Sequence, residues 1–317
     1  MKLFISCDWG TSSFRLRLID AATQRVLTES KSMQGIAATH AAWLQANQPG
    51  RVAFYCGILQ QHLGVLESEC GFSLNNTTII ISGMASSQIG IFELPYLSIP
   101  FNIQKAVIAT HVIPANNSFP YEIVLVSGVR SGNDVMRGEE TILAGCEIKK
   151  MDSEQLYILP GTHSKHIVVQ DGLITAFKTY LTGEIFNLLA TKSILANSVE
   201  INRDDDNSKT FFLEGVKAAL DSNILNSIFT VRTNQLFEIL NKKENYQYLS
   251  GLIIGTELKD VFQTQNGTIT IVSEGFLTAA YKLAFSVLSN RSEIKYLNAD
   301  EALIKGHTAL LLNITSN

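Results

Sequence analysis

Two short stretches carry the residue types best suited to chemistry. Asp8-Trp9-Gly10-Thr11-Ser12-Ser13 stands near the start of the chain and Gly161-Thr162-His163-Ser164 near its middle. They match at the Gly, the Thr and the second Ser (Ser13, Ser164), and each reaches an Asp (Asp20, Asp171) ten positions after its Gly. Small residues at a hairpin tip present backbone N–H groups that can form a concave anion site, and Gly lets a phosphate come close to the backbone. A single turn of this kind reads as an ordinary hairpin. Two in register, one in each half, point to a pair of jaws on a polyphosphate.

Bound phosphates call for a divalent cation, and Asp8, at the end of a strand-like run and beside the first turn, is placed to hold Mg²⁺ through water. Phosphoryl transfer to a hydroxyl also needs a base. Asp134 follows the Gly-containing loop Gly128-Val129-Arg130-Ser131-Gly132-Asn133, where a helix with Val135, Met136, Ile142 and Leu143 on its apolar face is expected to begin. At such a helix start the dipole would keep Asp134 ionised, so it would act through position, although a plain N-cap asks for the same residue type. Arg130 and Arg137 flank it, and an Arg in a cleft holds a carboxylate with two parallel hydrogen bonds. By spacing alone, an ion pair with Glu139 or Glu140 is the commoner outcome. Ser273-Glu274-Gly275 ends a strand and opens a helix, a junction that suits an adenosine moiety but is widespread.

The elements that must position these residues follow from periodicity. Strand-like runs flank each turn (Leu3 to Cys7 and Arg25 to Ser30; Leu156 to Leu159 and Ile174 to Thr182), giving two antiparallel meanders. Ile58, Leu59, Leu63 and Leu66 recur at helical spacing, and Thr77 to Ser82 and Glu122 to Ser127 read as buried strands. Phe92 to Asn117 contains three prolines and reads as irregular. The second half continues with a helix from Glu184, a long helical stretch, a strand Thr268 to Val272, a helix Phe276 to Leu288, a short strand near Lys295 to Leu297 and a last helix from Asp300. Asn202 to Asn207 reads as a solvated, charged loop. Gly306 lies inside the last helix, where Gly costs about 1 kcal/mol relative to Ala, so close approach of another backbone, at an interdomain helix crossing, is its expected reason.

A chain of 317 residues suggests two domains, 1–150 and 151–317, joined near Lys149 to Glu154. With 46% hydrophobic and 17% charged residues it can fill two cores, and a net charge of −4 gives no reason to expect nucleic acid or an anionic membrane as partner. Cys7, Cys56, Cys70 and Cys146 show no metal-ligand spacing and read as buried thiols of a reducing cytoplasm. No apolar run is long enough for a bilayer, and the N-terminal one is too short for a signal peptide.

The same residues carry a family resemblance. The Asp8–Ser13 stretch with Asp20, the Asn133-Asp134 segment, the block Leu159 to Lys165 and the strand ending at Ser273-Glu274-Gly275 resemble the first phosphate, catalytic-aspartate, second phosphate and adenosine motifs of the sugar kinase, heat-shock chaperone and actin superfamily. More narrowly, the blocks Asp134 to Thr141, Leu159 to Lys165, Thr182 to Phe186 and Ser250 to Gly255 resemble 2-dehydro-3-deoxygalactonokinases. The chain departs from that family at Ala85 to Gln88, at Gly90-Ile91 and at Ser127, with Gln88 and Ile91 falling in the expected sugar wall.

The resemblance implies an α/β fold of two ribonuclease H-like (actin-like ATPase) domains with mixed sheets around a central cleft. It implies ATP-dependent phosphorylation of the 6-hydroxyl of 2-dehydro-3-deoxy-D-galactonate. Asp134 would be the catalytic base. Asp8, Gly10, Thr11, Ser12, Gly161, Thr162, His163, Ser164, Lys165, Ser273 and Gly275 would hold the nucleotide, with Mg²⁺ at Asp8. Ser87, Arg130, Arg137 and Glu139 would hold the sugar acid. A kinase of another sugar or keto-deoxy acid is the alternative. A non-catalytic sugar sensor is another, though the chain starts on its first strand without a DNA-binding helix pair; chaperone- or filament-type ATPases would carry inserted subdomains. A homodimer stays open.

Overall fold

The computed structural model describes residues 2–47, 50–103, 110–146, 148, 153–201, 208–264, 267–288 and 294–315. Its backbone divides into two units: Met1–Lys150 with Asp171–Ala176 and Asp300–Asn317, and Met151–Gln170 with Phe177–Ala299. The first holds β1 (Leu3–Trp9), β2 (Phe14–Asp20), β3 (Arg25–Ser32), α1 (Ile36–Gln45), α2 (Arg51–Cys70), β4 (Ile79–Gly83), β5 (Leu97–Ser98), β6 (Phe101–Asn102), β7 (Thr110–Ile113), β8 (Ile123–Val126), β9 (Val129–Arg130), β10 (Val135–Met136) and α3 (Glu139–Ala144). The second holds β11 (Gln155–Leu159), β12 (Ser164–Gln170), the Phe177–Tyr180 end of β13 (Leu173–Tyr180), α4 (Thr182–Lys192), α5 (Ser208–Leu220), α6 (Ile224–Leu236), α7 (Lys242–Thr264), β14 (Thr268–Ser273), α8 (Gly275–Leu288) and β15 (Ile294–Asn298). The last helix, α9 (Ala299–Thr315), belongs almost wholly to the first unit.

The first unit's sheet runs β3-β2-β1-β4-β8-β7, with β1, β2 and β3 an antiparallel meander and β4 and β8 parallel to β1. The second unit repeats this plan as β13-β12-β11-β14-β15, with β11 antiparallel to β12 and parallel to β14, and β14 parallel to β15. This order, with its mixed pairing, is the α/β, ribonuclease H-like plan of the actin-like ATPases. Both expected meanders are present, with their Gly-Thr turns at the tip of the first hairpin.

Strand alternation sorts the first sheet's two faces. Ile5, Cys7, Trp9, Leu16 and Leu18 pack with Tyr55, Leu59, Leu63 and Leu66 of α2; of the stripe anticipated from helical spacing, Leu59, Leu63 and Leu66 lie in this core and Ile58 is partly buried against it. Phe4, Ile19, Ile80 and Val124 share the other core with Ile304, Leu310 and Leu311 of α9. In the second unit, Leu156, Ile158, Ile269 and Ile271 pack with Phe212, Ile254, Leu258, Tyr281 and Phe285 from α5, α7 and α8.

Three local expectations are corrected. No helix begins at Asp134: Val135 and Met136 pair in extended form with Arg130 and Val129, and α3 starts only after Gly138, whose φ of 110° interrupts any helix from 134. Val135 is exposed and Met136 buried, a period of two where a period of 3.6 was read. The segment 92–117 is not wholly irregular, since β5, β6 and β7 lie in it; its prolines limit these to short pairings. Gly306 does meet another backbone, because a Cβ there would overlap the carbonyl oxygen of Thr141, but that partner sits on α3 of the same unit. The charged run 202–207 lies outside the described residues.

Candidate active site

The Gly10 turn is closed by a hydrogen bond from Gly10 N to Ser13 O (3.0 Å) and seated on the start of α1. Ile36 N donates to Gly10 O (2.9 Å) and Ala37 N to Thr11 O (3.1 Å). Gly35 makes that seat fit, since a Cβ there would overlap the Thr11 carbonyl. With the turn's carbonyls satisfied by helix N–H groups, Thr11, Ser12 and Ser13 stand exposed at the tip, the arrangement an anion site needs.

Asp8 lies one residue before the end of β1, on the α9 face of the sheet, opposite Arg15 of β2. Arg15 and Arg17 both donate to Asp300 in the first turn of α9. Burial pushes the Asp8 carboxyl up to about 6, with Arg15 and Arg17 pulling it down and Asp300 and Glu139 adding to the rise. Among the described residues no group of three or more His, Cys, Asp or Glu could hold a metal ion. A cation at Asp8 would therefore keep most of its water. That fits Mg²⁺, which takes one or two carboxylates and dehydrates reluctantly, and a divalent charge suits a carboxylate crowded by two others.

Asp134 closes the hairpin between β9 and β10. Ser131 Oγ accepts from Asp134 N (3.0 Å), and Val135 N donates to Asp134 Oδ1 (2.7 Å), so this loop, not a helix dipole, sets the carboxylate's direction. Arg130 is exposed beside it. Arg137 is committed to the loop after β4: it donates to Ser86 O and Ser86 Oγ (both 2.6 Å) and lies over the Tyr96 ring at 4.2 Å. Glu139 Oε2 accepts from Arg137 N (2.9 Å), and Glu140 is fully buried. Ser87 is buried too, its Oγ turned onto Met84 O (2.7 Å). Of the two departures in the sugar wall, Gln88 is exposed, whereas Ile91 is 2% exposed and belongs to the core, so its change is one of packing.

In the second unit, Glu184 N donates to Thr162 O (3.1 Å), repeating the seat of the first turn on a helix start, and Gly183 plays the part of Gly35. His163 Nε2 and Glu184 Oε2 are 2.5 Å apart. The Lys165 ammonium donates to His163 O (3.1 Å), bracing the turn from behind. Gly161 and His163 stand partly open and Thr162 exposed, whereas Ser164 is fully buried with its Oγ on Glu257 (2.8 Å). Ser273 is buried at the end of β14, its Oγ 2.8 Å from Thr278 Oγ1, and Gly275 opens α8 at φ 53° with nothing near its missing Cβ.

The residues missed in the sequence are Gly35 and Gly183, which seat the two turns, and Glu257, which gathers side chains beneath the second. A Gly at the start of the helix that follows each meander was the available signal for the first two. Glu257 gave none, because an acid in a long helix usually faces water.

Comparison with known proteins identifies the family. The family model for 2-keto-3-deoxy-galactonokinase matches residues 8–310. A Rhizobium meliloti (strain 1021) protein assigned as 2-dehydro-3-deoxygalactonokinase DgoK1 is 30% identical over 316 residues, covering 96% of this chain and 95% of its own. The Escherichia coli (strain K12) 2-dehydro-3-deoxygalactonokinase is 27% identical over 320 residues, covering 99% and 96%. A crystal structure from Sinorhizobium meliloti, assigned to the same activity, superposes with a TM-score of 0.82 at 28% identity over 98% of this chain and 96% of that one. With repeated strand order, twin seated turns and a family match over nearly its whole length, the chain belongs to the 2-keto-3-deoxy-galactonokinase family.

Proposed function

We propose that this sugar-acid kinase transfers the γ-phosphoryl group of ATP to the 6-hydroxyl of 2-dehydro-3-deoxy-D-galactonate. The observation that carries the reading is the family match from residue 8 to residue 310, which takes in both Gly-Thr turns and Asp134.

In this reading Gly10 lets the phosphate approach, the N–H groups of Thr11 and Ser12 and of Gly161, Thr162 and His163 hold phosphate oxygens, and the Ser273–Gly275 junction holds the adenosine. Mg²⁺, held at Asp8 through water, would neutralise phosphate charge. Asp134 accepts the proton of the 6-hydroxyl as that oxygen attacks, placed for it by the β9–β10 hairpin. Arg130, exposed beside Asp134, pairs with the substrate carboxylate. Arg137 supports the site by fixing the 84–96 loop through its bonds to Ser86. Phosphoryl transfer asks mainly for positioning and charge stabilisation, and seated turns and a pinned hairpin supply positioning.

We place the enzyme in the cytoplasm, in keeping with four free thiols, and expect it to work without nucleic acid. Among the described residues no helix is long and apolar enough to cross a membrane. The test is ADP release measured across a panel of 2-keto-3-deoxy acids and hexoses. The expected result is fastest turnover with 2-dehydro-3-deoxy-D-galactonate and the 6-phosphate as product. ADP release independent of any acid, or a clear preference for another substrate, overturns the assignment.

A further inference from the structure

Glu257 sits on α7, outside every stretch that the reaction uses, and is only 3% exposed. Side chains from three other elements converge on its carboxylate. From β12, Ser164 Oγ and His166 Nε2 each lie 2.8 Å from Oε1. Thr182 Oγ1 at the start of α4 lies 2.5 Å from Oε2, and Tyr281 OH on α8 lies 2.6 Å from it. An ionised carboxylate only accepts, through about four lone-pair sites, so all four groups donate, the His166 proton is on Nε2, and the acceptor is saturated.

Burial alone would drive this carboxyl towards its neutral form, yet hydrogen bonds from His166, Thr182 and Tyr281 hold it below its ordinary range, so it stays charged in the interior. A buried ion of this kind stabilises a fold no better than an apolar contact of similar volume. What it adds is direction. Apolar packing lets neighbours slide, whereas four donors on two oxygens fix their angles as well as their spacing.

The donors stand next to the parts that the proposed reaction assigns to the nucleotide. Ser164 closes the Gly161-Thr162-His163 turn. Thr182 directly precedes Gly183 and Glu184, which seat that turn. Tyr281 is on α8, the helix that Gly275 opens. We propose that Glu257 is the positioning residue of the nucleotide site, holding the Gly161 turn, the α4 start and α8 in the single geometry in which phosphate and adenosine contacts form together. The proposal rests on the reading that this turn and this junction meet ATP.

Glu257→Gln keeps the volume but turns an amide N–H₂ towards two of the donors. In the purified full chain, the KM for ATP should rise about tenfold or more and ADP affinity by calorimetry fall by a similar factor. The KM for the sugar acid should stay within about twofold, since the change lies outside the groups that bind it. Glu257→Asp, which keeps the charge, should recover part of the loss. Thr182→Val and Tyr281→Phe each delete one donor to Oε2 and should shift the KM for ATP in the same direction by less, and they carry the test if the Gln variant does not fold. A purely structural role would lower the melting temperature and the active fraction while leaving both KM values alone. Folded variants with unchanged KM for ATP and unchanged ADP affinity overturn the proposal. A wild-type protein that binds ADP but leaves the sugar acid unphosphorylated would defeat the substrate assignment instead, and ADP calorimetry on the variants would still decide the role of Glu257.

Discussion

Gly183 lies against the backbone of Gly161 so closely that a Cβ on it would stand 2.7 Å from the Gly161 carbonyl oxygen and 2.8 Å from Thr162 Cα. Gly35 stands in the same relation to Thr11, as though one device had been used twice. Gly183→Ala or Gly35→Ala should displace the turn, destabilise the protein by about 1–3 kcal/mol and lower kcat/KM for ATP by about tenfold to a hundredfold. Gly57→Ala is the contrasting control: Gly57 lies inside α2 with nothing within 4 Å of its missing Cβ, so the change should stabilise by about 0.5–1 kcal/mol and leave activity alone. Thermal melts and ADP-release kinetics on the three variants check the contrast.

Asp134→Asn should lower kcat by about 10²–10⁴, the range for removing a positioned base. The hairpin should survive, because an amide oxygen can still accept from Val135 N. ADP affinity should therefore match the wild type, and near wild-type turnover in the folded variant would remove Asp134 from the mechanism.

Glu140 gives stability a pH dependence. Burial, with the charge of Glu139 adding to it, pushes the carboxyl up to about 8 from an ordinary 4.5, against hydrogen bonds from its own N–H, Gly138 N and Thr141 Oγ1. The folded state thus binds this proton more tightly than the unfolded chain. Its contribution is complete below about pH 4.5 and is lost as pH rises through about 8, up to a few kcal/mol in all. Urea titrations between pH 5 and 9 should show the wild type weakening relative to Glu140→Gln, whose curve should be flatter. A wild type that gains on that variant with rising pH would refute the assignment.

Gly306 and Thr141 set the α3–α9 crossing. Gly306→Ala gains about 1 kcal/mol of helix propensity but drives a Cβ into the Thr141 carbonyl, and a backbone clash in a packed crossing costs more than that gain. A net loss of about 1–3 kcal/mol is expected in denaturant titrations.

Chelation tests Asp8. EDTA should abolish phosphorylation and added Mg²⁺ restore it, while Asp8→Asn should raise the Mg²⁺ concentration for half-maximal rate, about tenfold for a lost charge–charge contact. A metal requirement unaltered in the variant would place the cation elsewhere.

Some of this was legible from the chain and some was not. The meanders could be read because their signal is local: alternating apolar residues end at small polar turns, and the pattern recurs at Gly10 and Gly161. The helix drawn from Asp134 was wrong because Val135 and Met136 suit either period in so short a segment. Only pairing with Arg130 and Val129, and the positive φ at Gly138, chose the strand. Arg137 could be named as a candidate, but spacing could not tell that its guanidinium reaches Ser86 and lies over Tyr96.

By itself, then, the sequence determined the α/β class, the twin Gly-Thr turns and the family, since each rests on contiguous residues whose pattern needs no partner to be recognised. The tertiary structure alone decided what seats those turns and what lies beneath them. Gly35 meets Thr11 across 24 positions by number, and Glu257 gathers Ser164, His166, Thr182 and Tyr281 from up to 93 positions away. Such contacts are set by helix packing against a sheet, and a linear pattern holds no record of which distant donor a buried acceptor will find.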